Sequence, residues 1–433
     1  MIRWTPSWAT TLGCWLIYLQ GFRQTLRIDY FDTYALVARI STIRLLIAMA
    51  SIYNLIINQM DVKTTFLNGE LDEEVYMNQP QGFIMPGNEN KVCKLIKSLY
   101  GLKQAPKQWH QKFDEVVLSN GYLLYQANKC VYSKIDESSK GVISFLYVDD
   151  MLIFGTDQVQ VNLTKEFLSS RFSMMDMEEA DVILGIRIKP ECNGIAISHS
   201  HYIEKILKKF NYFDCTRVST PMDTSEKLMP NNGRAVSQHE YSRVIGCLMY
   251  AMTCTRPDIA FAVGKLSRYT SNPVTQQCYS AMVTMMQVWH QQPDWKIRLQ
   301  VVGFSDWWWS SKKQTCITGS TMESKFVALA AASKEVEWLK NMLLEIPLWS
   351  KPIAPISIFC DSAATLAKAY SQMYNGKSRH LGVRHSMIRE LITNGVVSIE
   401  FLRSQQNLAD HLRKRLARDL VIKSAEVMSL KSN

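Results

Sequence analysis

Residues 145–155 read Phe-Leu-Tyr-Val-Asp-Asp-Met-Leu-Ile-Phe-Gly (FLYVDDMLIFG). Apolar residues flank the adjacent acids Asp149 and Asp150, so Ile143–Phe154 reads as two short strands pinched at an acidic pair. Two carboxylates at the tip of an apolar hairpin are costly unless something neutralises them. A pair of Mg²⁺ ions would do so, since Mg²⁺ prefers carboxylate and phosphate oxygens. In phosphoryl transfer two such ions activate the attacking hydroxyl and stabilise the leaving group. That chemistry needs a third carboxylate from elsewhere. Asp61, at the end of the apolar run Leu55, Ile56, Ile57 and Met60, is the natural candidate. Taken alone, Tyr147–Asp150 is more commonly just an acidic hairpin turn.

Outward from this stretch, apolar residues recur at helical spacing from Arg39 to Tyr53, and Asn54–Val62 reads as a buried strand. Residues 92–120 read as helical, with Pro106 marking a break or a first turn. Tyr202–Phe210 (YIEKILKKF) is an amphipathic basic helix carrying Lys205, Lys208 and Lys209. Pro221–Ser237, rich in Pro, Asn, Gly and Ser, is the best linker. Helical segments follow at Tyr241–Cys254 and Pro257–Tyr269. After Leu299 the pattern becomes strand, helix, strand, helix, which predicts a separate α/β domain.

The bulk composition sets wide bounds. A chain of 433 residues with 47% hydrophobic and 20% charged residues is a globular protein of two or three domains. Its 49 Lys+Arg against 39 Asp+Glu give a net charge of +10, which permits a polyanionic partner without demanding one. The ten cysteines contain no C-x-x-C pair, so reduced, mostly buried thiols are expected. The apolar run at Trp8–Leu19 lacks a cleavage site, and Leu45–Ile57 is too short to span a bilayer. A soluble intracellular protein with no membrane partner is the expectation.

Three segments decide between the bland and the catalytic reading of the acidic pair. MDVKTTFLNGELDEEVYMNQPQGF (60–83), KVCKLIKSLYGLKQAPKQWHQKF (91–113) and FLYVDDMLIFG (145–155) occur in that order. Together with ILGIRI (183–188), STPMD (219–223) and CTRPDIAFAVGKLSRY (254–269), they closely resemble copia-type retrotransposon reverse transcriptases over residues 21–425. The resemblance implies an α+β chain. A right-hand palm with fingers and thumb, the reverse transcriptase at 21–217, follows a divergent stretch at 1–20. Thumb and connection helices at 218–299 lead to a ribonuclease H-like domain at 300–420 and a tail at 421–433. The implied partners are an RNA template, a DNA primer, an RNA–DNA hybrid and deoxynucleoside triphosphates, with Mg²⁺ as the cofactor. By the same resemblance Asp61, Asp149 and Asp150 bind the metal ions. Phe66 stands under the nucleotide sugar and excludes a 2′-hydroxyl. Within GLKQAP (101–106), Gly101, Lys103 and Gln104 pack against the incoming nucleotide and template. Leu184-Gly185-Ile186 resembles the primer-gripping hairpin.

The sequence departs from this family at its front. Relatives carry a basic fingers hairpin ahead of the palm, with a motif like K-A-R-L-V-A-K-G-F, where cations clamp the triphosphate. Here WLIYLQ (15–20) stands in that place, and the resemblance begins only at Gly21-Phe22-Arg23-Gln24.

The ribonuclease H-like region departs further. The resemblance assigns metal-binding carboxylates to Asp306, Asp361 and Asp410, helped by SRHLGVRHSMIREL (378–391) and SQQNLADHL (404–412). The fourth fails. Where the family reads S-T-x-E-x-E-Y/F-x-A, this chain reads Ser320-Thr321-Met322-Glu323-Ser324-Lys325-Phe326-Val327-Ala328, with lysine in place of the second glutamate. Ser320-x-x-Glu323 is itself a capping box, which gives Glu323 a structural role. Between Asp306 and Ser320 the chain is short by two family strands, and Trp307-Trp308-Trp309 reads as a junction scar with base stacking as the alternative. Three functions stay open at this stage: a working polymerase, a non-catalytic remnant that binds nucleic acid, and a generic two-metal nuclease.

Overall fold

The computed structural model describes residues 24–79, 86–191, 194–209, 237–256, 259–273, 316–349, 351–374 and 379–407, with isolated residues and short pieces elsewhere. The chain divides into two compact units, Met1–Ala180 and Asp181–Asn433. The boundaries expected near residues 20, 217, 299 and 420 all fall outside the described residues.

In the first unit, α1 (Ile40–Tyr53) has the helix expected from its apolar spacing and buries eight of its residues. It stops at Asn54, which takes a left-handed φ of 51°, a conformation Asn tolerates better than most residues. The chain then enters β2 (Ile56–Val62). A six-stranded antiparallel sheet has the order β5–β6–β7–β8–β2–β9, where β5 is Leu123–Leu124, β6 Val131–Ile135, β7 Gly141–Tyr147, β8 Asp150–Gly155 and β9 Met174–Glu179. The second-last strand in that order, β2, sits beside the acidic hairpin. Three small strands form another sheet in the order β1–β4–β3: Ile2–Trp4, Val92–Leu95 and Tyr76–Asn78.

Alternation assigns the two faces of the large sheet. Met60 and Val62 of β2, Leu146 of β7 and Met151 and Ile153 of β8 share one core with Trp109, Phe113 and Val117 of α2 (Ala105–Ser119) and Val161 and Leu168 of α3 (Gln158–Arg171). Asp61 and Asp150 occupy the alternate positions and so belong to the other face. That face is buried farther along, at Ile143, Phe145, Leu152 and Phe154.

The helical reading of residues 92–120 is only half right. Val92–Leu95 is the strand β4, and the helix starts at Ala105 with Pro106 in its first turn, where a missing N–H costs nothing. The run from Val92 to Leu102 carries apolar residues at spacings a helix could also use. Pairing of β4 with Tyr76–Asn78 and a bond from Leu95 N–H to the Val75 carbonyl decide for the strand.

In the second unit, β10 (Val182–Ile183) and β11 (Ile186–Glu191) are joined by Leu184 and Gly185, with φ values of 50° and 74°. Positive φ at both central residues is the pattern of a tight two-residue hairpin, and it explains the glycine. The Tyr250 hydroxyl donates to the Leu184 carbonyl at 2.6 Å. β12 (Gly194–Ser198) and β13 (Lys296–Ile297) complete this sheet. The basic helix is α4 (Ser200–Lys209), burying Ile203, Ile206 and Leu207 while Lys205, Lys208 and Lys209 are exposed. Its apolar face joins a core with α5 (Gln238–Cys254) and α6 (Ala260–Leu266).

The remaining described elements are α7 (Thr321–Glu345), β14 (Ile356–Cys360), α8 (Ala363–Tyr370), α9 (Arg379–Thr393) and β15 (Val397–Phe401). β14 and β15 pair in parallel, as strands joined through helices do. Phe326, Leu329, Cys360, Leu381, Ile388 and Ile399 form their core. The strand expected before Asp306, the Trp307–Trp309 run and most of the proposed linker lie outside the described residues.

Candidate active site

Asp61 of β2 is directly opposite Asp150 of β8, and Tyr147 of β7 is opposite Asp150 on its other side. Cross-strand partners put their Cβ atoms about 4.5–5.5 Å apart, and like charges so placed repel. Asp149 is one of the two turn residues, with Val148, that join β7 to β8. All three acids predicted from sequence are therefore brought to one end of the sheet.

The electrostatics agree. Burial raises the Asp149 carboxyl above its ordinary range, and the charges of Asp61 and Asp150 push it up further. Asp150 is raised in the same way by burial and by Asp61, opposed by a hydrogen bond from the Gln59 amide to Oδ1 at 3.1 Å. Among the described residues no group of three or more His, Cys, Asp or Glu side chains is gathered closely enough to hold a metal ion by itself. An open, mutually repelling carboxylate set still suits Mg²⁺, which usually takes one or two protein carboxylates and completes its shell with water and substrate phosphates.

The turn itself is constrained. Val148 takes φ of 57°, a left-handed conformation that disfavours β-branched residues. Two hydrogen bonds, one to Val148 and one to Asp149, hold the turn there. The Trp109 indole Nε1–H donates to the Val148 carbonyl at 2.9 Å, and the Val62 N–H donates to the Asp149 carbonyl at 2.9 Å.

Phe66 follows β2 and is half-buried. Its ring lies 4.9 Å from that of Tyr100 at 58°, and the Ser98 hydroxyl donates to its carbonyl. Burial, with Asp149 next in importance, raises the Tyr100 phenol. Phe66, Pro106, Trp109, Leu146 and Val148 line a shared recess with Ala35, Leu36 and Val37.

The three GLKQAP residues singled out from sequence have different fates. Gly101 is exposed and takes φ of 97°, which glycine alone adopts freely. Lys103 is exposed, but its ammonium donates to the Gln24 carbonyl at 3.1 Å and to the Tyr30 hydroxyl at 3.2 Å. Gln104 is fully buried. Its amide donates to the Asp29 carbonyl at 3.2 Å and accepts from Gln24 at 3.0 Å. In this structure Gln104 ties residues 24–29 to the start of α2.

Gln59, Tyr100 and Trp109 were not found from sequence. Gln59 carried a signal: a polar residue inside an apolar strand, two positions before Asp61 and therefore on its face.

A neighbouring cluster has the order of a nucleophilic triad without its chemistry. Cys130 Sγ is 3.8 Å from His110 Nε2, and His110 Nδ1 is 3.3 Å from Asp114 Oδ2. Burial and Asp114 push the thiol up to about 12, so it holds no thiolate at neutral pH. The Tyr132 hydroxyl also donates to Asp114, at 2.5 Å. The cluster braces α2 against β6.

Of the ribonuclease H-like carboxylates, Asp306 and Asp410 lie outside the described residues. Asp361, just after β14, is ion-paired with the Lys325 ammonium at 2.8 Å. That contact, with help from Asn407, holds its carboxyl below the usual range. Glu323 performs the expected capping: Ser320 Oγ accepts from its N–H at 3.2 Å, and its own carboxylate accepts from the Gly319 N–H at 2.8 Å.

The comparisons with known proteins give the family of the chain that carries this hairpin. The family described as reverse transcriptase (RNA-dependent DNA polymerase) matches residues 16–224. The retrovirus-related Pol polyprotein from transposon TNT 1-94 of Nicotiana tabacum is 34% identical over 96% of this chain and 34% of its own length. That from transposon RE1 of Arabidopsis thaliana is 29% identical over 95% of this chain and 31% of its own length. A Saccharomyces cerevisiae protein named for transposon Ty5-1 is 32% identical over 49% of this chain and 70% of its own length. This chain belongs to the reverse transcriptase family of Ty1/copia-type retrotransposon Pol polyproteins. It spans about a third of the length of the two plant relatives. Among the described residues no helix is long and apolar enough to cross a membrane.

Proposed function

We propose that this chain carries the palm of an RNA-directed DNA polymerase, extending a DNA primer on an RNA template from deoxynucleoside triphosphates. The observation that carries this reading is the register of β2 against β8. It sets Asp61 opposite Asp150, with Asp149 in the adjoining turn, at a cost that a bound cation relieves. Asp61, Asp149 and Asp150 would hold Mg²⁺ together with the triphosphate. When bound, the metal ions would activate the primer hydroxyl and neutralise the leaving pyrophosphate. The rest falls to the protein. Gln59 orients Asp150, while Tyr100 and Ser98 position Phe66 under the sugar. The hairpin at Leu184-Gly185 would grip the primer, and α4 would add cations for the nucleic-acid backbone.

A second reading, a non-catalytic remnant that at most binds nucleic acid, also has support. WLIYLQ (15–20) lacks the cations that should clamp the triphosphate, and charge-assisted contacts to phosphate are strong ones to lose. Gln104 is committed to Asp29 and Gln24. The ribonuclease H-like site has also lost its function in this reading, because Lys325 neutralises Asp361. Primer extension on poly(rA)–oligo(dT) with Mg²⁺ separates the two. Incorporation by the wild type that is absent from Asp150→Asn supports the polymerase, and no incorporation by either supports the remnant.

Given any activity, Phe66→Val should open space beside the sugar. The ratio of ribonucleotide to deoxyribonucleotide incorporation should then rise at least about tenfold, since losing one steric contact of this size is worth roughly 1–3 kcal/mol of discrimination. An unchanged ratio would return Phe66 to a packing role beside Tyr100.

A further inference from the structure

We infer that Trp109 is a positioning residue for the metal-binding turn: its indole N–H holds Val148 in a strained conformation, and so aims Asp149. The inference rests on the polymerase reading for the role of Asp149, and on geometry for the rest.

Two-residue hairpin loops favour glycine where φ is positive, because a side chain there meets its own backbone. This turn has Val148 instead, at φ of 57°. β-branching makes valine one of the poorest residues for the position. Such strain persists only when the surroundings over-determine it, and here the determinants are visible. The Trp109 Nε1–H, 2.9 Å from the Val148 carbonyl, fixes the first turn peptide, and the Val62 N–H fixes the next. Val62 follows Asp61 directly, so one bond ties the turn to the strand carrying the third acid. The other ties it to α2. The indole cannot drift, because Trp109 is only 2% exposed and packs edge-on against Phe172, 5.2 Å away, and against Phe113 at 5.6 Å. Trp109, Val148 and Phe66 also line one recess. A single buried side chain thus sets the carboxylate turn and lies on the same recess as the aromatic assigned to the sugar.

The test reads metal binding by the full chain, using Mn²⁺ alone as a paramagnetic probe, and needs no catalysis. Asp149→Asn first identifies the site, as the Mn²⁺ binding it removes. Trp109→Phe keeps an aromatic ring and deletes the donor, and should weaken that binding about tenfold, a typical worth of one hydrogen bond. Val148→Gly supplies a residue that takes φ of 57° without an anchor. In that background Trp109→Phe should weaken Mn²⁺ binding less than about threefold, a coupling that loss of core packing would not produce. Equal Mn²⁺ affinity in wild type and Trp109→Phe overturns this inference alone. So does a Trp109→Phe effect, or a failure to fold, that is the same with and without the Val148→Gly substitution. Absence of Asp149-dependent Mn²⁺ binding in the wild type overturns the polymerase reading and this inference with it.

Discussion

Asp149→Asn is expected to melt about 2 °C above the wild type in metal-free buffer at pH 7, to gain nothing from Mg²⁺, and to lose primer extension by at least about a hundredfold. The first effect follows from the raised carboxyls of Asp149 and Asp150. A group whose pKa is higher in the folded state binds protons more readily there than in the unfolded chain. Its contribution favours folding below the ordinary carboxylate pKa of about 3.9 and is lost as pH rises through the raised folded value. At pH 7 the metal-free protein therefore holds repelling charges at a cost to its stability. Asparagine removes one of them while keeping the shape. In the wild type, Mg²⁺ should raise the melting temperature by binding only the folded state. That increment should shrink as pH falls through the raised pKa values, because protonated acids do not hold the ion. Thermal scans of both proteins at pH 5 and pH 7, with and without Mg²⁺, check all of this. Equal Mg²⁺ stabilisation of wild type and Asp149→Asn would sink the site.

What could be read from sequence was what depends on local pattern. The hairpin was legible because apolar runs on both sides are interrupted only at the acids, although the turn itself falls on Val148 and Asp149, and Asp150 already opens β8. Strand β2 was legible because a buried apolar run meets an acid at Asp61, and α1 because its apolar residues keep helical spacing. The capping box at Ser320 was legible because it involves residues three apart; its Ser320 half forms, while the Glu323 carboxylate takes the Gly319 N–H one residue earlier. Features that depend on distant partners were not. Val92–Leu95 resembles helix until Tyr76–Asn78 pairs with it. The bond from Trp109 to Val148 joins residues 39 apart on different elements, and nothing near Trp109 announces it. Gln104 is another such case: its burial against Asp29 and Gln24 is set by a segment 75 or more residues away. Lys325 was legible as a departure from the resembled motif, whereas its pairing with Asp361 required the fold.

No cleavage of the RNA strand of an RNA–DNA hybrid is expected from this protein, and Lys325→Glu alone should not restore it. The Lys325 ammonium sits 2.8 Å from Asp361 Oδ1, so the charge a metal ion would supply there is already supplied by the chain. A cation in a ligand position reverses the local field, where a neutral residue would only weaken it. The pairing lowers the Asp361 pKa, chiefly through the Lys325 hydrogen bond. A depressed folded pKa contributes stability that is present above about 3.9 and is lost as pH falls through the folded value. Lys325→Glu reverses that sign by placing an acid beside Asp361. The variant should melt below the wild type at pH 7 and recover part of the difference near pH 4, where one of the two acids takes up a proton. Glu323 cannot replace the missing ligand, because its carboxylate is committed to the Gly319 N–H at the helix start. Residues two apart on a helix also point about 200° apart. The short stretch between Asp306 and Ser320 compounds the loss, since misplacing a catalytic group by 1 Å can cost about a hundredfold in rate. Lys325→Glu combined with a reinserted family-like hairpin is therefore the variant expected to recover cleavage, measured on a labelled hybrid with Mg²⁺. Cleavage by the unmodified protein that depends on Asp361 and Asp410 would falsify this account, because Asp361 would then have to release Lys325 and bind metal without its fourth partner.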